Sequence, residues 1–356
     1  MEIDEDDLAA FVAARGAPSN EYDVADEFAE RIGEHVDRIE RDAQGNVIAT
    51  SEGDDDALAV MLAAHTDELA LLVDTIRDDG FLEYTKIAGH YKGNFPGQRV
   101  VVGPDELLGV LGPKSRHLMT EDEKEEIDEE SLTIDIGATS REEVATLNVE
   151  AGDFATWDRE YDHLANGRIT GRALDDRIAL AILVAVAEAA ETEMTVHYVA
   201  TVQEEVGLRG ARMAGHTVDP DVGIALEIFP ADDYPAADEP EPSAKLGEGP
   251  VIEFADGTSE YLFGGVLVDR ETRTWLKGGA ASADVDIQET VMVSGSTDAT
   301  ELQQVRGGRY AGAIAVPCRY SHSPVETLDL TDANETVATL VSALGTEFPG
   351  PEDIRR

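Results

Sequence analysis

Apolar residues recur along this chain with two different spacings. In segments 4–15 and 20–42 they fall at helical intervals, which predicts two amphipathic helices. The next segment, 41–54, has the turn residues and apolar run of a β-hairpin. Later apolar runs are short and almost uninterrupted, and they predict strands buried in a sheet: DALAVMLAA, TVHYVATV, VGIAL and AGAIAVP. Together with a long apolar segment that predicts a buried helix, DRIALAILVAVAEAA, these runs indicate an α/β fold.

Between about residues 73 and 163 the pattern changes. The segments there are short, rich in β-branched residues and separated by glycines, which predicts a small β-rich module. We expect this module to be inserted into a larger, discontinuous domain made of residues 1–72 and 164–356. One stretch of the module, EDEKEEIDEE at 121–130, is so acidic that we expect a solvated or mobile loop.

The charge of the chain is strongly negative. Its 356 residues include 75 Asp and Glu against 27 Lys and Arg, a net charge of −48. Nucleic acids and anionic membranes would repel such a chain, so binding to either is not expected. The acidic residues are spread through periodic segments and 42% of all residues are hydrophobic, which indicates a folded protein. Because the Debye length falls to about 3 Å at 1 M salt, this self-repulsion suggests adaptation to a salt-rich cytoplasm.

Other features of the sequence also favour a cytoplasmic protein. Cys318 is the single cysteine, so no intrachain disulfide can form and a reducing compartment is expected. The first residues are acidic and contain neither a basic region nor an apolar core of a signal peptide. No run approaches 18 apolar residues, the length that a membrane span needs. We therefore expect a soluble, cytoplasmic protein.

Residues able to bind a divalent metal stand next to these apolar runs. They are His65 in AAHTDE, Asp175 in RALDDR, Glu204 and Glu205 in VQEEVG, Glu227 in IALEIF, and His322 in RYSHSP. Since the carboxyl ends of parallel strands meet at one edge of a sheet, we expect these side chains to converge there. Two histidines with several carboxylates suit a pair of Zn²⁺ or Co²⁺ ions better than Mg²⁺, which needs no imidazole. The sequence therefore predicts a metal-dependent hydrolase.

His65 and Asp67 lie two residues apart at a strand end and project from one face. A carboxylate that accepts a hydrogen bond from a metal-binding imidazole fixes the orientation of the ring, so we expect Asp67 to orient His65. Several other histidines lie outside this pattern, and these are expected to be ordinary surface or core residues: His90, His117, His163, His197 and His216.

For some of the acidic candidates, the position in the sequence has an explanation other than metal binding. Asp175 precedes a buried helix, where capping alone would account for it, although a carboxylate shared by two cations would need the same junction. Asp176 beside it could cap the helix or orient a histidine. Glu204 and Glu205 would face opposite sides of a regular strand, so both enter one site only if the backbone turns, as Gly207 permits. One glutamate can then bind an ion while the other accepts a proton from activated water.

The last carboxylate ligand has three candidates. Glu227 ends a buried strand, and Asp232 and Asp233 follow shortly after it. The position at the strand end favours Glu227, and Asp233 remains an alternative.

These motifs, in this order, resemble those of the TET peptidases, metal-activated aminopeptidases that assemble as tetrahedral dodecamers. The similarity extends over nearly the whole chain. AAHTDELALLV resembles the first ligand segment of that family, GRALDDRIA its bridging-aspartate segment, VQEEVGLRGA its glutamate pair and RYSHSPVE its last histidine. DIGATSREEVATLNVEAGD, KLGEGPVI and GSTDA are similar as well. The resemblance implies a three-layer α/β/α catalytic domain with an inserted, PDZ-like β-barrel domain.

Carried over by position, the resemblance also implies roles for seven residues. Asp175 would bridge two metal ions. His65 and Glu227 would complete the ligands of one ion, and Glu205 and His322 those of the other. Glu204 would be the general base, and Asp67 would orient the ligands without binding an ion. The family often has aspartate where this chain has Glu227, whose longer side chain should still reach an ion.

The resemblance further implies the cofactors and partners. These would be two Zn²⁺ or Co²⁺ ions per subunit, short or unfolded peptides as substrates, and other copies of the chain. The inserted module would mediate dimer contacts and shape access to an internal cavity, and the dimers would assemble into a dodecamer.

Three alternative functions remain to be compared. An endoglucanase would need carboxylates placed across a sugar, usually with aromatic platforms, yet aromatic residues make up only 6% of the chain and His65 and His322 would have no role. A non-catalytic scaffold would be expected to lack the general base or the bridging ligand, and both are present. A di-metal amidase or deacylase acting on small acylated substrates is disfavoured only by the resemblance.

Overall fold

The computed structural model describes residues 2–54, 57–121, 132–235, 237, 242–259, 261–293 and 295–350. Most of the acidic stretch 121–130 lies outside these residues, so its assignment as a loop stays a prediction. The helices are α1 Glu5–Ala13, α2 Tyr22–Ile32, α3 Arg141–Thr146, α4 Leu174–Ala189, α5 Arg209–Val218, α6 Arg270–Ala283, α7 Ala299–Gln303 and α8 Leu330–Leu344.

The strands fall into two groups. Those of the main sheet are β1 Arg38–Arg41, β2 Val47–Ser51, β3 Ala59–His65, β10 Asp162–His163, β11 Arg168–Gly171, β12 Thr195–Thr201, β13 Val222–Pro230, β14 Val251–Ala255, β15 Gln288–Val291, β16 Tyr310–Arg319 and β17 Glu326–Asp329. Those of the barrel are β4 Ala70–Ile76, β5 Leu82–Ile87, β6 Arg99–Val102, β7 Leu107–Leu111, β8 Ile134–Asp135 and β9 Phe154–Trp157.

The main sheet has four parallel strands at its centre, in the order β12, β3, β13 and β16. On one side β2 and β1 continue the sheet in antiparallel pairing, and on the other side β17, β11 and β10 do so. The strands β14 and β15 extend from β16 away from this path. The four central strands are almost entirely buried, as their apolar runs predict.

Helices cover both faces of the sheet. Along β3, Val60, Leu62 and Ala64 pack in one hydrophobic core with α1, α2, α4 and α8. Met61 and Ala63 point to the opposite face and pack in a second core with α5 and α7. Because successive strand residues face opposite sides, both faces of this strand must be apolar. The predicted three-layer α/β/α fold is confirmed.

The barrel closes on itself through the pairing of β4 with β9, for example Leu71 with Ala155. Its own apolar core includes Val100, Val102 and Trp157. The predicted β-rich module therefore contains a closed barrel whose strands span 70–157, whereas β10 pairs with β11 in the main sheet. The division into one domain at 73–163 and another at 1–72 and 164–356 stays a prediction.

The predicted helix at 20–42 is wrong beyond Ile32. The helix α2 ends at that residue, and Gly33, a poor helix former, follows it. The backbone of Arg38–Arg41 instead pairs with β2, and the Asp37 N–H donates to the carbonyl of Thr50. Sheet hydrogen bonds outweigh the helical spacing of the side chains here. Among the described helices, none is long and apolar enough to cross a membrane.

The parallel strands place the candidate residues at one edge of the sheet. His65 is the last residue of β3, and it lies opposite Thr201, the last residue of β12. Glu227 lies near the end of β13 on the neighbouring strand. Glu204 and His322 each follow the end of a central strand by three residues. Sequence-distant groups therefore meet because four strands run in the same direction.

Candidate active site

The predicted ligands form two groups that share Asp175. One group consists of His65, Asp175 and Glu227, and the other of Asp175, Glu205 and His322. In each group the possible ligand atoms lie within 4.8 Å of one another. The structure therefore brings together all five side chains that the sequence singles out as ligands.

The two oxygens of Asp175 face different histidines. Oδ1 lies 3.0 Å from His65 Nε2, and Oδ2 lies 3.5 Å from His322 Nε2. The peptide bond between Asp175 and Asp176 is cis, and both residues have non-helical backbone angles although they belong to α4. The Asp175 carboxylate lies at the start of the helix and belongs to both groups.

Three further buried acids hold the backbone of these residues. Asp67 accepts hydrogen bonds from the backbone N–H groups of Glu204 at 2.9 Å and Glu205 at 3.1 Å. Asp176 accepts one from the backbone N–H of His65 at 3.2 Å. A carboxylate that binds a backbone N–H fixes the chain rather than the side chain. The spacing of the candidate residues is therefore set by hydrogen bonds between their backbone N–H groups and these buried carboxylates.

Glu326, the third of these acids, connects two segments. Its Oε2 accepts from the backbone N–H of Asp175 at 3.0 Å, and its Oε1 accepts from that of His322 at 2.9 Å. Sequence reasoning missed this residue, although it stands in the motif RYSHSPVE, four residues after His322. That spacing was the only signal available.

The predicted hydrogen bond between the Asp67 carboxylate and the His65 ring is wrong. His65 Nδ1 lies 3.0 Å from the backbone carbonyl oxygen of Asp67, but 3.7 Å from its carboxylate Oδ1. The carboxylate is occupied by the N–H groups of Glu204 and Glu205. Asp67 still orients the imidazole, but through its main chain.

Glu204 stands apart from both groups. Its buried side chain lines the same cleft, and it belongs to neither cluster of possible ligands. Glu204 and Glu205 lie in a turn that has positive φ angles at Gln203 and Gly207. A glutamate held beside a ligand cluster, but outside it, can serve as a proton acceptor.

The alternative ligand Asp233 is engaged elsewhere. Its carboxylate forms a two-point ion pair with Arg319, at 2.6 and 2.7 Å, and also accepts from the backbone N–H of Leu246. Asp232 accepts from Ser243 in the same region. The structure therefore places Glu227, and neither of these aspartates, beside His65.

The crowding of carboxylates shifts the pKa values at the site. Burial, with the charge of Glu205, raises the pKa of the Glu204 carboxyl well above its usual value. Burial raises the pKa of Glu205 to about 7. Burial alone would lower the pKa of His65, but its hydrogen bond to Asp175 and the charge of Glu227 raise it well above the usual value. These shifts show how strongly the site attracts positive charge.

A divalent cation fits this donor set. The cleft has a volume of about 520 Å³, and the described residues that line it include no Lys or Arg. The buried guanidinium groups of Arg172 and Arg177 pair with Glu68 instead. Among the described residues, therefore, no Lys or Arg neutralises the carboxylates of the cleft, and imidazole with carboxylate is a typical ligand set for Zn²⁺ or Co²⁺.

Comparison with known proteins decides the class. The family model of the M42 glutamyl aminopeptidases matches residues 45–339. The chain belongs to the M42 glutamyl aminopeptidase family. It is therefore a hydrolase of the exopeptidase type, an aminopeptidase, and the peptidases of the M42 family are metal-dependent.

Individual relatives agree with the M42 assignment. A putative aminopeptidase of Acetivibrio thermocellus is 35% identical over 338 residues, which cover 95% of this chain and 97% of that protein. The structure of an aminopeptidase from the archaeon Desulfurococcus kamchatkensis matches with a TM-score of 0.90 and 34% identity, covering 96% and 94% of the two chains. The TET1 peptidase of Pyrococcus horikoshii matches with a TM-score of 0.83 and 29% identity, covering 96% and 99%. The predicted resemblance to the TET peptidases is confirmed, and M42 membership favours an aminopeptidase over the endoglucanase, scaffold and amidase hypotheses.

The role of Asp67 can be tested by Asp67→Asn. The asparagine side chain has one acceptor oxygen where two backbone N–H groups each need one, and its amide would face an N–H donor. We expect a loss of about 1–3 kcal/mol in the free energy of unfolding, together with reduced aminopeptidase activity. Thermal unfolding and peptide hydrolysis measure the two effects.

A matched control for this variant is Asp135→Asn. Asp135 also accepts a backbone hydrogen bond, from Gly137, but in an exposed part of the barrel. The control should retain the stability and activity of the unmodified protein. Equal stability and activity in Asp67→Asn and the control would refute the role assigned to Asp67.

Proposed function

We propose that this M42 peptidase hydrolyses N-terminal peptide bonds with two divalent metal ions that share Asp175. The observation that carries the proposal is the position of that carboxylate, with one oxygen toward each histidine. His65 and Glu227 would complete the ligands of one ion, and Glu205 and His322 those of the other. Because both groups contain an imidazole, Zn²⁺ or Co²⁺ is proposed rather than Mg²⁺.

Two bound ions would polarise the carbonyl of the scissile bond and lower the pKa of a water molecule in the cleft. The residues of the chain perform the remaining steps. Glu204 accepts the proton of the attacking water and returns it to the amine that leaves. Asp67 holds the backbone N–H of Glu204, which keeps this carboxylate in the cleft and outside both groups. The free α-amino group of the substrate is proposed to bind at the same ligand clusters, which would restrict cleavage to the N-terminus.

The proton-transfer role is tested by Glu204→Gln. Glutamine has nearly the same size but cannot accept the proton, so we expect the variant to bind two ions and to lose most of its turnover, by roughly 100-fold or more. Metal content by elemental analysis and hydrolysis of aminoacyl chromogenic substrates provide the two readouts. Chelation, followed by addition of Zn²⁺, Co²⁺ or Mg²⁺, identifies the ion that restores activity.

The matched control is Glu188→Gln, an exposed glutamate at the end of α4. It should match the unmodified enzyme in both readouts. Near-normal turnover in Glu204→Gln would exclude Glu204 as the general base. Loss of metal in that variant would mean that Glu204 is a ligand instead.

The proposal extends to the substrates, the assembly and the cellular environment. The TET1 peptidase of Pyrococcus horikoshii assembles into a tetrahedron or a large octahedral shell. By similarity, we propose that this chain forms dimers that assemble into a dodecamer, which admits short or unfolded peptides. The net charge of −48 supports a location in a salt-rich cytoplasm, since screening is needed to offset the repulsion within and between subunits.

One salt series tests both the assembly and the adaptation to salt. As KCl rises from about 0.1 to 3 M, the screening length falls from about 10 Å to below 3 Å, so repulsion between acidic surfaces should disappear. We expect the midpoint of thermal unfolding to rise with KCl and light scattering to reach the mass of twelve chains. A midpoint that falls with salt would contradict the salt adaptation, and a stable dimer at all salt concentrations would contradict the dodecamer.

A further inference from the structure

His322 is held in a backbone conformation that non-glycine residues rarely adopt. Its φ angle is +59°, in the left-handed region. Every polar group of the residue that is not directed at the cleft has a partner. Its N–H donates to Glu326, its carbonyl accepts from Asn94 Nδ2 at 3.0 Å, and its Nδ1 lies 3.2 Å from the carbonyl oxygen of Gly89. An Nδ1–H donated to Gly89 leaves Nε2 free to face Asp175.

Two of these three partners come from the barrel. Gly89 and Asn94 lie in the loop 88–98, which connects β5 to β6 and is called the β5–β6 loop below. They are separated from His322 by 233 and 228 positions in the sequence. The loop therefore reaches out of the barrel and fixes a residue of the main sheet's edge.

The β5–β6 loop is itself fixed to the barrel. The ring of His90 packs against Phe95 and Trp157, with ring centres 5.3 and 5.8 Å apart. His90 Nε2 lies 3.0 Å from the carbonyl oxygen of Ala70, the first residue of β4. A residue next to Gly89 is thus anchored in the barrel, so the carbonyl that faces His322 has a defined position.

The contact between the β5–β6 loop and His322 is also sterically tight. A Cβ atom added to Gly89 would lie 2.9 Å from His322 Nδ1 and 3.2 Å from its Cε1. A side chain at this position would therefore push the imidazole away or move the loop. Only glycine permits the observed approach.

We infer that the β5–β6 loop of the barrel is a structural part of the metal site, with Asn94 and Gly89 as positioning residues for His322. The inference rests on the proposed function, in which His322 binds one of two ions. Without the Asn94 hydrogen bond, the His322 backbone has fewer contacts to maintain its positive φ angle, and the imidazole would leave its place beside Asp175 and Glu205.

The effect should be confined to one of the two ions. Among the hydrogen bonds of the described residues, none joins the β5–β6 loop to His65 or Glu227. The group that contains them should therefore keep its affinity when the loop is altered. A general loss of stability would weaken the binding of both ions instead, so the affinities for the two ions distinguish the two explanations.

The test is the variant Asn94→Ala in the full-length protein, titrated with Co²⁺ while visible absorption and heat are recorded. We expect one of the two ions, the one proposed to bind Glu205 and His322, to bind about 10- to 100-fold less tightly, and the affinity for the other ion to change less than about threefold. Turnover should recover at high Co²⁺ concentration with KM unchanged, because the ligand is displaced rather than lost. Asn94→Asp, which keeps the size but replaces the donor by an acceptor, should show the same loss.

The matched control is Asn148→Ala. Asn148 is also a barrel asparagine whose Nδ2 donates a hydrogen bond, but to Asp105 on an exposed surface. It should bind both ions as the unmodified protein does. Gly89→Ala tests the same inference without altering Asn94, and it should weaken the binding of the same ion.

The outcomes separate this inference from the proposed function. If the unmodified protein binds fewer than two ions, or if His322→Ala leaves both affinities unchanged, the two-ion proposal itself fails. The role of the loop is refuted if the unmodified protein and Asn148→Ala bind two ions, and Asn94→Ala and Gly89→Ala bind each ion as tightly as the unmodified protein does. Equal weakening of both ions in Asn94→Ala would likewise refute a specific role.

Discussion

The main physical constraint on the candidate site is the repulsion between its buried carboxylates. Asp175, Glu204, Glu205 and Glu227 converge on one cleft, and the acids behind them add further negative charge. No Lys or Arg occurs among the described residues of the cleft. Charges this close cannot all remain ionised in a buried place without cations. The arrangement therefore suits divalent cations, in keeping with the metal dependence of the M42 peptidases.

The fold provides the rigidity that such a site needs. Four parallel strands deliver candidate ligands to one edge, and buried acids then fix the backbone behind them. Asp67, Asp176 and Glu326 each bind backbone N–H groups, so the ligand positions do not depend on flexible side chains alone. The barrel contributes as well, through the β5–β6 loop at His322. The barrel, whose strands follow His65 in the sequence, thus contacts His322, which lies far along the chain.

The sequence predicts the clustering of the candidate ligands better than it predicts the contacts around them. His65, Glu227 and His322 follow apolar runs, and the parallel direction of those runs is enough to bring them together. The partner of the His65 ring depends on the exact backbone course after β3, so the predicted carboxylate contact from Asp67 is wrong. Asn94 carries no pattern of its own, because its partner is a backbone group 228 positions away in the sequence. Glu326 has only its spacing from His322 as a signal, because its other partner, the backbone N–H of Asp175, is 151 positions away. The helix predicted through residue 42 fails since pairing with β2 determines the conformation there.

Anomalous X-ray diffraction from Co²⁺-loaded crystals can show whether two ions share Asp175. Data collected at the cobalt absorption edge locate each ion independently of the protein phases. If two ions share Asp175, we expect two anomalous peaks per chain, one beside His65 and Glu227 and one beside Glu205 and His322, with Asp175 touching both. A single peak, or a peak at Asp233 in place of Glu227, would rule out this arrangement of two ions.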